Sequence, residues 1–122
     1  MLYIVKKVIL IIAINNSNAD LYISIHQNIY QNEKYKGPQV FYVKDNKKLA
    51  ENIQNTLNKY TKNNRKIKTI NNTYMYKLLN KKGILIECGF LSNDYERSKL
   101  QTNTYQTELA KIITEGIITY FS

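Results

Sequence analysis

The chain has 122 residues, 43% hydrophobic and 22% charged, which fits one domain with a modest core and excludes an intrinsically disordered chain. Its 18 basic and 9 acidic residues leave a net charge of +9, which favours anionic partners such as nucleic acid, acidic lipid or bacterial wall polymers. The single cysteine excludes an internal disulfide, and the one proline and four glycines leave no room for a linker.

Residues Tyr3 to Ile14 read as a helix, although their β-branched run also suits a strand. The apolar part, Val8 to Ile14, is far short of the roughly 20 residues of a membrane span. Lys6 and Lys7 before it give a minimal signal-peptide pattern, with Ala19 a weak cleavage candidate; the run reads better as a core element. A turn at 15–18 leads to Leu21–Ile25, a short β-favouring run that reads as a buried strand ending at His26. Gly37-Pro38 punctuates the polar loop that follows, and Gln39 to Val43 is a second strand.

Asp45 or Asn46 can cap the next helix, in which Leu49, Ile53, Leu57 and Tyr60 share one face. Asn63-Asn64 ends it. A short strand and a brief helix around Tyr74 to Leu79 follow, and then Ile84–Ile86 as a third buried strand running into Glu87-Cys88-Gly89-Phe90. Two helices close the chain, with capping boxes read at Asn93/Glu96 and Asn103/Gln106. The second places Leu109, Ile113, Ile117 and Tyr120 on one stripe. Strands alternating with helices predict a single α/β domain over 1–122 with a mainly parallel twisted sheet flanked by helices.

Two strands thus end in ionisable residues, His26 and Glu87. Ligands bind at the carboxyl ends of strands in open α/β sheets, so both residues converge on one crevice if the strands are parallel neighbours. An imidazole can bind zinc and a carboxylate can accept a proton from bound water. A lone histidine at a strand end is more often structural. Glu87, set between Ile84-Leu85-Ile86 and Cys88-Gly89-Phe90, faces a desolvation cost unless something pairs with it. Cys88 reads as a small core residue.

The segment Asn15 to Asn28, with Ala19-Asp20-Leu21 and Ile23-Ser24-Ile25-His26-Gln27-Asn28, resembles the "A-D-L-x-I-S-I-H-x-N" motif of the zinc-dependent N-acetylmuramoyl-L-alanine amidases. Leu85 to Asn93, followed by Glu96, is similar to their "L-x-E-x-G-F-L-S-N-x-x-E" motif. Tyr105-Gln106, Leu109-Ala110, Gly116-Ile117 and Tyr120 look like the family's closing helix. Tyr35 to Tyr42, and Arg65-Lys66-Ile67-Lys68 followed by Tyr74, resemble the sporulation- and germination-specific CwlD branch.

The resemblance implies a peptidoglycan hydrolase that cuts the amide between the lactyl group of N-acetylmuramic acid and L-alanine, and its sporulation-specific branch implies spore cortex maturation. It implies an extracytoplasmic site of action at the cell wall or spore cortex. It implies a Zn2+ cofactor, His26 as a metal ligand and Glu87 as the catalytic carboxylate. Nothing in the chain resembles the family's first metal histidine, the metal glutamate after it or its first strands. The expectation is an amino-terminally truncated chain, inactive alone, with a separate polypeptide as a possible source of the missing part. The alternative is a non-catalytic remnant that binds wall polymers through its basic surface. No nucleic-acid-binding motif accompanies the charge, so nucleic acid is not an expected partner.

Overall fold

The computed structural model describes residues 2–43, 45–70 and 79–122. Helix α1 spans Leu2–Asn15 and is followed by β1 (Tyr22–Asn28), β2 (Gln39–Tyr42), α2 (Lys47–Thr61) and β3 (Lys68–Thr69). Strand β4 (Gly83–Phe90), helix α3 (Asp94–Leu100) and helix α4 (Asn103–Phe121) complete the chain. The brief helix expected around Tyr74 falls mostly on 71–78, outside the described residues.

The four strands lie in the order β1-β4-β2-β3. β1 pairs with β4 and β2 with β3 in parallel, while β2 runs antiparallel to β4. Two of the three pairings are therefore parallel, and the sheet is mixed. One face carries Ile84 and Ile86, with Val40 from β2, against Leu49, Ala50, Ile53 and Leu57 of α2 and Leu109, Ile112 and Ile113 of α4. Each such side chain fully removed from water contributes about 1.5–3 kcal/mol, so this layer is the main source of cohesion.

α2 is amphipathic as its spacing predicts, with a difference at each end. Tyr60 is exposed and donates to Glu115 Oε1 at 3.0 Å instead of closing the buried stripe. Asn46 precedes the helix without a side-chain cap; its amide donates to Val43 O at 2.7 Å. The helix ends with Lys62 in a left-handed conformation, φ 52°.

The cap at Asn93 forms as expected, its Oδ1 accepting from Glu96 N–H at 3.0 Å. The other half of that capping box is absent, because the Glu96 carboxylate accepts from Gly37 N–H. The cap of α4 lies one residue earlier than expected: Thr102 Oγ1 accepts from Tyr105 N–H at 3.2 Å. Gln106 turns back to donate to Leu100 O at 2.8 Å.

β1 was expected to be buried, and it is half-exposed, with Ile25 at 62%. The cause is its place at the sheet edge, where no strand pairs with its outer side among the described residues. α1 is tied down by Asn80 N–H donating to Asn15 Oδ1 at 2.8 Å, and it leaves Ile9, Leu10 and Ile12 exposed. No helix among the described residues is long and apolar enough to cross a membrane.

Candidate active site

The parallel register of β1 and β4 sets His26 opposite Glu87, with Ser24 opposite Leu85 on the same face. The antiparallel neighbour β2 sets Gln39 on the other side of Glu87. Three consecutive strands thus present His26, Glu87 and Gln39 in one row across the sheet, on the face away from α2 and α4. Neither ionisable residue closes its strand, since β1 runs on to Asn28 and β4 to Phe90. His26 and Glu87 are expected to converge if their strands are parallel neighbours, as they are; both strands run further than their β-favouring runs predict, because the pairing partner sets where a strand ends.

The pairing shifts after this row: His26 is opposite Glu87, but Asn28 is opposite Phe90. The extra residue in β4 is a bulge, and it returns Phe90 to the face that carries Glu87. Cys88 goes into the core at 6% exposure, as expected for a small apolar residue. Burial pushes its thiol up to about 11, with the Glu87 charge adding to the shift, so the sulfur is held as an inert thiol. Gly89 has no room for a side chain, because a Cβ there would overlap the Glu96 carboxylate.

Glu87 is half-buried, and its Oε2 is buried without a hydrogen-bond partner among the described residues. Burial raises its carboxyl above the usual range, and the neighbouring His26 partly offsets the rise. His26 is exposed, and its Nε2 is 2.9 Å from Ser24 Oγ on the same strand face. That contact orients the ring.

Around this row the loops are tightly fixed. Gly37 takes φ 96°, a conformation that favours glycine, and hands its N–H to Glu96. Glu96 is buried at 3% exposure. Desolvation raises its carboxyl, opposed by the bonds from the Gly37 and Phe90 backbone and the charges of Lys99 and Arg65. Gln39 donates to Lys66 O at 2.6 Å and accepts from Arg65 Nη2 at 2.7 Å. Gln54, buried on α2, accepts from Val40 N–H at 2.7 Å and donates to Pro38 O at 3.1 Å. Neither Gln39 nor Gln54 was singled out from the sequence. A glutamine one place from Ile53 on an apolar stripe was the available signal for Gln54.

A zinc centre was tested against these donors. One imidazole and one half-buried carboxylate, whose Oε2 has no partner among the described residues, fit a part of such a centre. They fall short of the three protein ligands that catalytic zinc takes, and no group of three His, Cys, Asp or Glu converges among the described residues.

Residues 6–119 match the N-acetylmuramoyl-L-alanine amidase family. The germination-specific N-acetylmuramoyl-L-alanine amidase of Bacillus subtilis is 42% identical over 113 residues, 89% of this chain and 48% of that protein. The probable cell wall amidase LytH of Staphylococcus saprophyticus is 31% identical over 108 residues, 88% of this chain and 37% of that protein. Among solved structures, the CwlD amidase of Clostridioides difficile, in complex with the GerS lipoprotein, is 42% identical with a TM-score of 0.83 over 88% of this chain and 57% of that chain. An N-acetylmuramoyl-L-alanine amidase of Clostridium difficile 630 is 33% identical with a TM-score of 0.84, covering 94% and 64% respectively. The chain therefore spans about half the length of the curated relatives it matches, and less of some.

Proposed function

The chain belongs to the N-acetylmuramoyl-L-alanine amidase family, and from that premise we propose that it forms the His26–Glu87 half of a peptidoglycan amidase active site. The bond cut is the amide between the lactyl carbonyl of N-acetylmuramic acid and L-alanine. Spore cortex is the proposed substrate, supported by the likeness to the germination-specific relative, and the proposed site of action is outside the cytoplasm.

One observation carries the reading: the β1–β4 register sets His26 beside Glu87, whose buried Oε2 is left without a partner among the described residues. A carboxylate in that state costs free energy unless a reaction or a ligand uses it. His26 is the proposed zinc ligand, and Ser24 Oγ orients its ring. Zinc, when bound with further ligands, would supply a Lewis acid and a water of lowered pKa. Glu87 Oε2 takes a proton from the attacking water and returns one to the departing L-alanine nitrogen. Burial raises the Glu87 carboxyl above the usual carboxylate range, which suits a group that must both take and give a proton.

The family resemblance implies that the remaining metal ligands belong to the part of the relatives that this chain does not match. We propose that a polypeptide segment of that kind pairs along the outer edge of β1 and brings those ligands to His26. An edge strand offers unpaired backbone groups for such an addition.

The test is release of L-alanine-bearing peptide from purified peptidoglycan by the chain mixed with the unmatched segment of the Bacillus subtilis relative. Release that needs zinc and both polypeptides supports the reading. Wall binding that persists in chelator and in Glu87→Gln, with no peptide released, would replace it with the wall-binding alternative.

A further inference from the structure

The loop between β1 and β2 carries two tyrosines that the proposed proton transfers do not use. Tyr30 and Tyr35 meet edge to face, with ring centroids 4.6 Å apart and planes at 65°. Tyr35 is backed by the Phe90 ring at 6.1 Å and by the Arg65 guanidinium at 6.0 Å. Arg65 also lies 5.1 Å over the Phe90 ring. Its own position is fixed by donation from Nη2 to Gln39 Oε1 at 2.7 Å and from Nη1 to Lys36 O at 3.2 Å. Tyr30 is anchored through its backbone, whose N–H donates to Ser92 Oγ at 3.0 Å.

This is a rigid support for rings that stay wet. Tyr30 is 53% exposed and Tyr35 43%. Arg65 and Phe90 hold Tyr35, and Tyr35 holds Tyr30, while no cation or further ring lies against Tyr30 among the described residues. A free aromatic ring held this firmly has little to gain for folding, since its burial is incomplete.

Its place is informative. Leu91 N–H donates to Asn28 O at 2.7 Å, joining the ends of β1 and β4. Tyr30 begins two residues beyond that junction, and Phe90, which supports Tyr35, shares the sheet face of Glu87 through the bulge. The rings therefore stand at the carboxyl ends of the two parallel strands that carry His26 and Glu87, where α/β sheets bind ligands.

We propose that Tyr30, backed by Tyr35 and Arg65, is a stacking platform for a pyranose ring, forming a glycan subsite beside the row of His26 and Glu87. The inference rests on the peptidoglycan reading and names the part of the polymer this surface takes. A pyranose offers one face of C–H groups to a flat ring and a rim of hydroxyls to polar neighbours. Gln31, Asn32, Glu33 and Lys34 supply that polar rim in the same loop, all exposed. A peptide is more often recognised by strand addition or by a groove, and Tyr30 offers neither.

The test uses chitotetraose, a peptide-free N-acetylglucosamine tetramer, titrated into the chain in the presence of chelator and followed by calorimetry and backbone amide shifts. The expected result is shifts centred on Tyr30, Tyr35 and Ser92. Tyr30→Ala weakens binding about tenfold or more, the effect of roughly 1.4 kcal/mol, while Tyr30→Phe stays close to the parent. Arg65→Lys weakens it without touching the sugar, because the support of Tyr35 is lost. Absent glycan binding, binding indifferent to Tyr30→Ala, or capture of L-alanyl-D-isoglutamine at these rings instead overturns the subsite. Glycan binding that depends on Tyr30, with no amide hydrolysis by the chain combined with zinc and the unmatched segment of the Bacillus subtilis relative, would leave the subsite standing and remove the amidase reading. The reverse pattern would remove the subsite alone.

Discussion

Gln54 offers a way to measure how firmly the segment beside Glu87 is held. It is 2% exposed on α2, its Oε1 accepts from Val40 N–H at 2.7 Å, and its Nε2 donates to Pro38 O at 3.1 Å and to Asn58 Oδ1 at 2.9 Å. Gln54→Ala strands the Val40 N–H in a fully buried position, at a cost of about 1–3 kcal/mol. One methylene leaves the core, a further ~0.8 kcal/mol, and release of side-chain entropy returns about 1.5–2 kcal/mol. The net expectation is a loss of at most about 2 kcal/mol. Pro38 O does not contribute to that sum, because Asn63 Nδ2 also donates to it, at 2.9 Å. The shared acceptor makes a double-mutant cycle decisive. Asn63→Ala alone leaves Pro38 O paired with Gln54, whereas the double variant strands a second buried group. Urea denaturation should show the double variant less stable than the sum of the singles by about 1 kcal/mol or more. Additivity within about 0.5 kcal/mol would refute the shared-acceptor reasoning.

Three further outcomes follow from other parts of the structure. At Gly116, a Cβ would lie 3.1 Å from Ile53 Cα and 3.2 Å from Ile53 Cγ1, so Gly116→Ala sets a helix-propensity gain of about 1 kcal/mol against overpacking of about 1–3 kcal/mol. Because the nearest atom is backbone, overpacking should win in denaturant melts; stabilisation by the whole propensity gain would show that α2 and α4 separate freely. The Glu96 carboxyl is raised in the folded state, so the fold binds its proton more tightly than the unfolded chain does. Stability should therefore fall as pH rises from the ordinary glutamate value, about 4.3, through the folded value. Glu96→Gln should flatten that fall in thermal melts taken from pH 4 to 8, and an unchanged slope would contradict the assignment. Asn93→Ala, which removes the acceptor for Glu96 N–H and the donor to Glu33 O, should cost about 1 kcal/mol in the same melts; a loss within about 0.3 kcal/mol would show that the cap does not hold the 29–38 loop to α3.

The sheet and its two motif residues were legible because they depend on local pattern. β-favouring runs gave β1 and β4, and a parallel pairing was enough to bring His26 to Glu87. What escaped depends on long-range contacts. The bulge that returns Phe90 to the Glu87 face exists only in the pairing of β1 with β4. Arg65 is one basic residue among many in the sequence, yet it packs on Tyr35 and Phe90 from the far side of β2. The cap of α4 was misplaced by one residue because Thr102 and Asn103 are both good caps, and the contact of Gln106 with Leu100 O selects the earlier one. The exposure of Ile25 follows from what pairs, or fails to pair, with the outer edge of β1, and that edge is not written in the strand itself.

The most direct test of the central claim separates metal binding from catalysis at the two residues of the row. In the chain combined with the unmatched segment of its Bacillus subtilis relative, zinc content and the rate of muramoyl-L-alanine cleavage are measured together. His26→Ala is predicted to lose zinc and activity alike. Glu87→Gln is predicted to keep zinc while losing about 10²–10⁴ of the rate, the usual share of a general base. Full activity in Glu87→Gln, or undiminished zinc in His26→Ala, would contradict the account.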